Sequence, residues 1–208
     1  LVGQAFREED LSLLTGHMAI GHTRYSTTGS SNVRNAQPFV TSGINGELAL
    51  AHNGNIINAF DLRKQAEERW NCTFSSGTDS EVMAFLLANG PGKNWEQRVA
   101  YLMRNLQGAY SAVIQTKDAI MGFKDPLGVR PLCLGQWPDG GWIIASESCA
   151  LDHLGATYIR ELEAGETVLI NKEGIHSFVW SGTTSRRAMC VFELIYFSRP
   201  DSVIRGNL

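Results

Sequence analysis

The stretch AYSAVIQTKDAIMGF, residues 109–123, contains two short apolar segments separated by a polar turn. The segments 109–115 and 119–123 have the length and composition of β-strands. Further apolar segments follow at 131–135 and 142–145, and turns that contain Gly or Pro lie between the segments. This spacing predicts an antiparallel meander.

Helices are predicted upstream of this region. Residues 58–70 have amphipathic spacing, with Leu62 and Ala66 on the inward face. The sequence Thr78-Asp79-Ser80-Glu81 precedes an apolar run and is typical of a helix start, with Ser, Thr or Asp available as the cap. A third helix is predicted at 95–106.

Shorter elements complete the pattern. We predict a helix at 7–15, a strand at 18–22, a buried strand at 48–52 that the turn-forming pair Asn53-Gly54 interrupts, and a closing hairpin from 166–171 and 174–180. Because helices and strands come in blocks rather than in strict alternation, the sequence predicts a layered α+β domain.

Composition limits the function. The 208 residues are 43% hydrophobic and 19% charged, which is typical of one folded globular domain. A formal net charge of −3 argues against nucleic-acid binding, and no apolar run is long enough to cross a bilayer. The cysteines form no CxxC and are expected to be reduced thiols of a cytosolic protein: Cys72, Cys133, Cys149 and Cys190.

Both ends suggest a piece of a longer protein. The sequence begins at Leu1 without a methionine, and it stops at Leu208 directly after a dense motif. Residues 181–187 are polar and basic without periodicity, which indicates a linker. We therefore expect a first domain at 1–180, with the linker and the start of another domain at 181–208.

Three polar clusters are candidates for chemistry: GHTRYSTTG at 21–29, HNGN at 52–55 and SGTDSE at 76–81. Arg24 either ties down its own loop or holds a carboxylate through two parallel hydrogen bonds. Asp79 is either a helix cap or a binding anion. Together, one cation and one anion are the minimum needed to orient a free amino acid by its α-carboxylate and α-ammonium.

The remaining polar candidates have two interpretations each. Asn53-Gly54 is either a turn or a pair of N–H donors for an oxyanion hole. His22 and His52 have apolar neighbours, and no carboxylate or second histidine stands at ligand spacing. We therefore favour core histidines over a metal or acid–base role.

The three clusters, together with AQPF at 36–39, resemble the class II glutamine amidotransferases, which are N-terminal-nucleophile hydrolases of four-layer αββα fold. A more specific resemblance, to the amidophosphoribosyltransferase family of purine synthesis, covers essentially the whole chain. It rests on Tyr25 in the arginine motif and on three further segments: DPLGVRPL at 125–132, ASESCALD at 145–152 and FELIYFSRPDS at 192–202.

This resemblance implies a role for each site residue. Arg24 is expected to bind the α-carboxylate of glutamine, with Thr27 in the same pocket, and Asp79 the α-ammonium. Asn53 and Gly54 are expected to form the oxyanion hole.

The family's nucleophile is an N-terminal cysteine whose free α-amine acts as the base. Here the first residue is leucine. We therefore expect the nucleophile segment to be missing, the αββα sandwich to be incomplete at its N-terminus and this chain alone to lack glutaminase activity. Cys190 is either a buried free thiol or one ligand of a [4Fe–4S] cluster in the intact protein.

The resemblance also implies the reaction of the intact protein, which makes phosphoribosylamine from glutamine and phosphoribosyl pyrophosphate. Mg²⁺ is expected in the phosphoribosyltransferase domain, and no cofactor in this chain. A cytoplasmic homo-oligomer without nucleic-acid or membrane partners is expected. The alternatives are a class II amidotransferase of the glucosamine-phosphate synthase type, a non-catalytic glutamine-binding module and a purely structural domain.

Overall fold

The computed structural model of the protein describes residues 7–23, 32–183, 185–204 and 206. Its helices are α1 Glu8–Ser12, α2 Ala59–Trp70, α3 Asp79–Asn89, α4 Trp95–Asn105 and α5 Ser148–His153. Its strands are β1 Phe39–Gly43, β2 Gly46–Ile56, β3 Gly108–Thr116, β4 Ala119–Lys124, β5 Cys133–Gln136, β6 Trp142–Ala145, β7 Thr157–Glu161, β8 Glu166–Asn171 and β9 Gly174–Val179. Glu193–Phe197 is a short π-helical segment.

A six-stranded antiparallel sheet in the order β1-β2-β3-β4-β8-β9 forms the main layer. Its longest pairing is that of β2 with β3, which runs from Leu48 opposite Thr116 to Ile56 opposite Gly108. Because side chains alternate between the two faces of a strand, Ala112 and Ile114 point to one face and Val113 to the other.

Helices α2, α3 and α4 cover the first of these faces. Leu62 of α2, Leu87 of α3 and Leu102 of α4 join strand residues such as Ile114 and Phe123 in one buried cluster. Helix α3 packs across β1 and β2 and is buried around most of its circumference, so it is apolar on nearly all sides rather than amphipathic.

A second sheet, in the order β6-β5-β7, packs on the opposite face. Gly122 of β4 allows this close approach, because a Cβ there would lie 2.8 Å from a side-chain carbon of Ile144. Helix α5 covers the outer face of the second sheet through Leu151, which packs with Cys133. The layers therefore follow the order α, β, β, α, which confirms the expected fold class.

Several local predictions are confirmed and others are wrong. Helices α2, α3 and α4 begin within a residue of their predicted starts, and the hairpin β8–β9 is present. The single meander is wrong, because β5 and β6 leave the first sheet for the second. Residues 18–22 form no strand. Helix α1 is shorter than predicted, and Leu11 within it and Leu13 and Leu14 after it are exposed.

The predicted turn at Asn53-Gly54 is also wrong. Strand β2 continues through both residues to Ile56, and they pair with Ser111 and Tyr110 of β3. The two candidate donors therefore lie within a central strand, on a backbone that the neighbouring strand holds in register.

Residues after Trp180 return across the domain. The N–H of Ala188 donates to the carbonyl oxygen of Leu127 at 3.0 Å. The N–H of Val203 donates to Ser148 Oγ at 2.7 Å. None of the helices in the described part of the chain has the length and apolar character of a membrane span.

Candidate active site

Asp79 is the first residue of α3 and lies beside the end of β2. The cap of this helix is Thr78, whose side chain accepts a hydrogen bond from the N–H of Glu81. The Asp79 carboxylate instead accepts from the N–H of Ile56 at 2.9 Å and from the N–H of Ser80 at 2.9 Å. Its side chain is therefore fixed, and it lies close to the strand segment that carries Asn53 and Gly54.

Glycine is the only residue type that fits at position 54 of β2. Its φ of +145° lies where L side chains are strained, and a Cβ would lie 2.8 Å from Tyr110 Cα and closer still to the carbonyl oxygen of Ala109. The sequence therefore uses glycine here for close contact between strands rather than for a hairpin turn.

Arg130 fixes the orientation of the Asn53 amide. One guanidinium nitrogen of Arg130 donates to Asn53 Oδ1 at 2.8 Å. A guanidinium has donors and no acceptor, so the amide oxygen must face Arg130 and the amide NH₂ must face away from it. The site thus presents the Asn53 NH₂ as a donor next to the Gly54 backbone.

The other side of Arg130 is paired with Glu193. The two side chains are 2.6 Å apart and little exposed, and the Arg130 guanidinium also lies over the ring of Phe197 at 5.0 Å. Burial raises the pKa of Glu193, and the charge of Arg130 opposes this rise. In the sequence, Arg130 and Glu193 stand out only as parts of motifs, because they lie far from Asn53 in the chain.

His52 is a core histidine, as predicted. It is 4% exposed, with its Nδ1 3.1 Å from Ser80 Oγ and 3.8 Å from Asp79 Oδ1. Burial lowers the pKa of His52 to about 4, helped by the charges of His22 and Arg130 and opposed by Asp79. The ring is therefore neutral near pH 7 and supports the site without a charge. His22 is partly buried.

Gln37 holds the preceding segment against β2. Its side-chain amide donates to the carbonyl oxygen of His52 at 3.2 Å and accepts from the N–H of His52 at 2.6 Å. This two-point pairing mimics a strand neighbour directly before Asn53. The sequence does not predict this role for Gln37, because an isolated glutamine carries no local signal for such pairing.

The loop before α3 is organised by Glu81. Its carboxylate accepts hydrogen bonds from the backbone N–H and the hydroxyl of both Ser75 and Ser76, at 2.6 to 2.8 Å. Burial raises the pKa of Glu81, but the hydrogen bonds from Ser76 and Ser75 outweigh it, so the net pKa is lowered. This network fixes the loop that leads into Asp79.

Two predicted binding residues, Arg24 and Thr27, lie outside the described residues. Their predicted roles stay predictions. The described part of the site therefore supplies one fixed carboxylate and one oriented amide donor beside a glycine. Such a set can hold an ammonium group and stabilise an oxyanion.

All four cysteines are free, and Cys133 is not a candidate nucleophile. Burial raises the pKa of Cys133 to about 12, so its thiol is protonated near neutral pH. Cys190 is a free thiol, as one of its two interpretations predicts, but it is partly rather than fully buried. Within the ranges that the structure describes, no group of three or more His, Cys, Asp or Glu side chains is arranged to hold a metal ion.

The chain is similar to known proteins along its whole length. The family model described as "Glutamine amidotransferase domain" matches residues 22–153. An amidophosphoribosyltransferase of Synechocystis sp. is 48% identical over 211 residues, covering 100% of this chain and 42% of the relative. The amidophosphoribosyltransferase of Archaeoglobus fulgidus is 44% identical, covering 99% of this chain and 45% of the relative.

Solved structures show the same similarity. The glutamine phosphoribosylpyrophosphate amidotransferase of B. subtilis, complexed with ADP and GMP, superimposes with a TM-score of 0.88 at 40% identity. That match covers 99% of this chain and 44% of the solved chain. The chain thus spans less than half the length of the relatives it matches. With the family model matching more than half of its residues, the chain belongs to the glutamine amidotransferase domain family.

Proposed function

We propose that this chain is the glutamine-hydrolysing part of an amidophosphoribosyltransferase. The observation that carries the proposal is the hydrogen bond from Ile56 N–H to the Asp79 carboxylate, which fixes an anion beside the strand that bears Asn53 and Gly54. The similarity to two amidophosphoribosyltransferases along the whole chain supports the more specific assignment.

In this proposal the chain binds glutamine at both ends of its amino-acid group. Asp79 accepts hydrogen bonds from the α-ammonium, and Arg24 holds the α-carboxylate with Thr27 nearby. The δ-amide of glutamine then extends toward Asn53 and Gly54. Because one ion pair holds the α-ammonium and the other holds the α-carboxylate, binding is specific for a free amino acid.

The chemical step needs a cysteine thiolate from the N-terminal segment of the intact protein. The thiolate attacks the δ-carbonyl carbon of glutamine, and the Asn53 amide and the Gly54 N–H stabilise the negative oxygen that develops. The N-terminal α-amine, which took the proton of the thiol, gives it to the amide nitrogen as the C–N bond breaks. Ammonia leaves and a thioester remains. Water then hydrolyses the thioester to glutamate and regenerates the thiol.

In the intact protein the released ammonia displaces pyrophosphate from phosphoribosyl pyrophosphate and gives phosphoribosylamine. Mg²⁺ would be held by the phosphoribosyltransferase domain, outside this chain. We further propose that Cys190 is one ligand of an iron–sulfur cluster whose other ligands lie elsewhere in the intact protein. We place that protein in the cytoplasm, where the four free cysteines would stay reduced. We also propose that it is a homo-oligomer.

The test is an assay of the full-length protein with glutamine and with phosphoribosyl pyrophosphate. The proposal predicts formation of glutamate and ammonia, and release of pyrophosphate that depends on glutamine. Transfer to a hexose phosphate instead would favour the glucosamine-phosphate synthase type. Glutamine binding without hydrolysis would favour a non-catalytic module.

A further inference from the structure

We propose that Arg130 is a positioning residue for the oxyanion donor Asn53, and that Glu193 holds Arg130 in place. The glutaminase site would then depend on the segment Glu193–Phe197. This inference rests on the proposed function, because it assigns a role within the same site.

The backbone that carries Arg130 is fixed by a buried carboxylate. Asp125 is fully buried, and its side chain accepts from the N–H groups of Leu127 and Val129 at 2.9 Å and of Tyr110 at 3.2 Å. Tyr110 in turn pairs with Gly54 across the sheet. The loop before Arg130 and the strand opposite Gly54 are therefore attached to the same side chain.

The guanidinium makes two contacts that point in different directions. One nitrogen donates to Asn53 Oδ1 at 2.8 Å, and another lies 2.6 Å from Glu193 Oε2. The side chain of Arg130 is 14% exposed and that of Glu193 is 3% exposed. Because both groups are largely shielded from water, neither contact can be replaced freely by solvent.

The consequence for Asn53 follows from its chemistry. An asparagine amide can present either its oxygen or its NH₂ to the same place after a half-turn of its side chain. An oxygen facing the substrate would repel a developing oxyanion, whereas the NH₂ stabilises it. Arg130 selects the second orientation, so its loss should act on turnover rather than on glutamine binding.

The experiment compares glutaminase kcat and KM in the full-length protein for Arg130→Met, Asn53→Ala and the double variant. We expect Arg130→Met to lower kcat by roughly 10- to 100-fold, with the KM for glutamine within about twofold of the unsubstituted value. In the Asn53→Ala background, Arg130→Met should lower kcat by less than about twofold more, because Arg130 acts through Asn53.

Arg160→Met is the matched control. Arg160 of β7 in the second sheet forms a two-point ion pair with Glu166 of β8 in the first sheet, at 2.6 and 2.8 Å. Among the described residues, its hydrogen bonds go to Glu166 and to the carbonyl oxygen of Glu161 rather than to Asn53, Arg130 or Glu193. Arg160→Met should leave kcat unchanged. The proposal would be overturned if the fold-reductions in kcat of Arg130→Met and Asn53→Ala multiplied in the double variant. It would also be overturned if Arg130→Met raised KM without lowering kcat.

Glu193→Gln tests the second half of the proposal and replaces Arg130→Met if that variant does not fold. It should lower kcat several-fold in the unsubstituted background and have no further effect with Asn53→Ala. An unchanged kcat would overturn the role of Glu193. The proposed function itself fails if the unsubstituted protein does not hydrolyse glutamine or if Asn53→Ala is fully active. If Asn53→Ala loses activity but the Arg130 and Glu193 variants are fully active, only the present inference fails.

Discussion

The carboxylate of Asp79, at the start of α3, accepts a 2.9 Å hydrogen bond from the backbone N–H of Ile56, the last residue of β2. This contact joins the first turn of a buried helix to the end of a central strand. It brings the proposed ammonium-binding anion to the strand that carries the proposed oxyanion donors, although the two positions are 23 residues apart.

Asp79→Asn tests the charge without removing the acceptor. The asparagine oxygen can still accept from Ile56 N–H, but the amide NH₂ cannot accept from Ser80 N–H, so we expect the free energy of unfolding to fall by about 1 kcal/mol. The loss of a charged hydrogen bond to the α-ammonium should raise the KM for glutamine roughly 10- to 100-fold. Steady-state kinetics of the full-length protein measures this. Asp61→Asn, an exposed aspartate in the first turn of α2, is the control and should leave KM unchanged.

Asn53→Ala should act on turnover. Loss of one oxyanion donor lowers kcat roughly 10²–10³-fold in enzymes of this kind, while the fold stays intact. Arg24→Ala should instead raise the KM for glutamine. Glutamine turnover that is unaffected by both substitutions would contradict the site assignment.

Gly54→Ala should destabilise the protein. Gly46 is the matched control, because it also has a positive φ, of +98°, but open space where a Cβ would be. We expect Gly46→Ala to cost about 1 to 2 kcal/mol from backbone strain. Gly54→Ala should cost about 2 kcal/mol more, because its Cβ also collides with β3. If urea unfolding showed that Gly54→Ala and Gly46→Ala lower the free energy of unfolding equally, the close contact between β2 and β3 at Gly54 would have no special role.

Because of His52, the free energy of unfolding should decrease as the pH is lowered. Its folded pKa of about 4 lies below its ordinary value of 6.5, so the unfolded chain binds the proton more tightly. The contribution is fully present above pH 6.5 and is lost as the pH falls toward 4, by about 3 kcal/mol. In His52→Asn this part of the pH dependence should be absent, as measured by urea unfolding at several pH values. His176→Asn, on the exposed face of β9, is the matched surface control.

Local patterns predicted the helices but not the division into two sheets. The spacing of Leu62 and Ala66 and the Thr78 cap are features of neighbouring residues, so they can be read along the chain. Which strands pair is decided by contacts between distant segments. The apolar segments of β4 and β5 look alike in sequence, yet they belong to different layers.

The site shows the same difference between local patterns, which the sequence reveals, and contacts between distant segments, which it does not. Asp79 was identified because a helix start is a local pattern. The turn predicted at Asn53-Gly54 was wrong because β3 requires close approach at Gly54, a requirement set 56 residues later in the chain at Tyr110. The contact of Arg130 with Asn53 spans 77 residues and has no local signal.

The most direct test is a crystal structure of the full-length protein with bound glutamate, the product of the proposed hydrolysis. We predict the α-ammonium at about 3 Å from the Asp79 carboxylate and a side-chain carboxylate oxygen at about 3 Å from the Asn53 amide nitrogen. Glutamate bound elsewhere, or bound here with its ammonium group away from Asp79, would contradict the account.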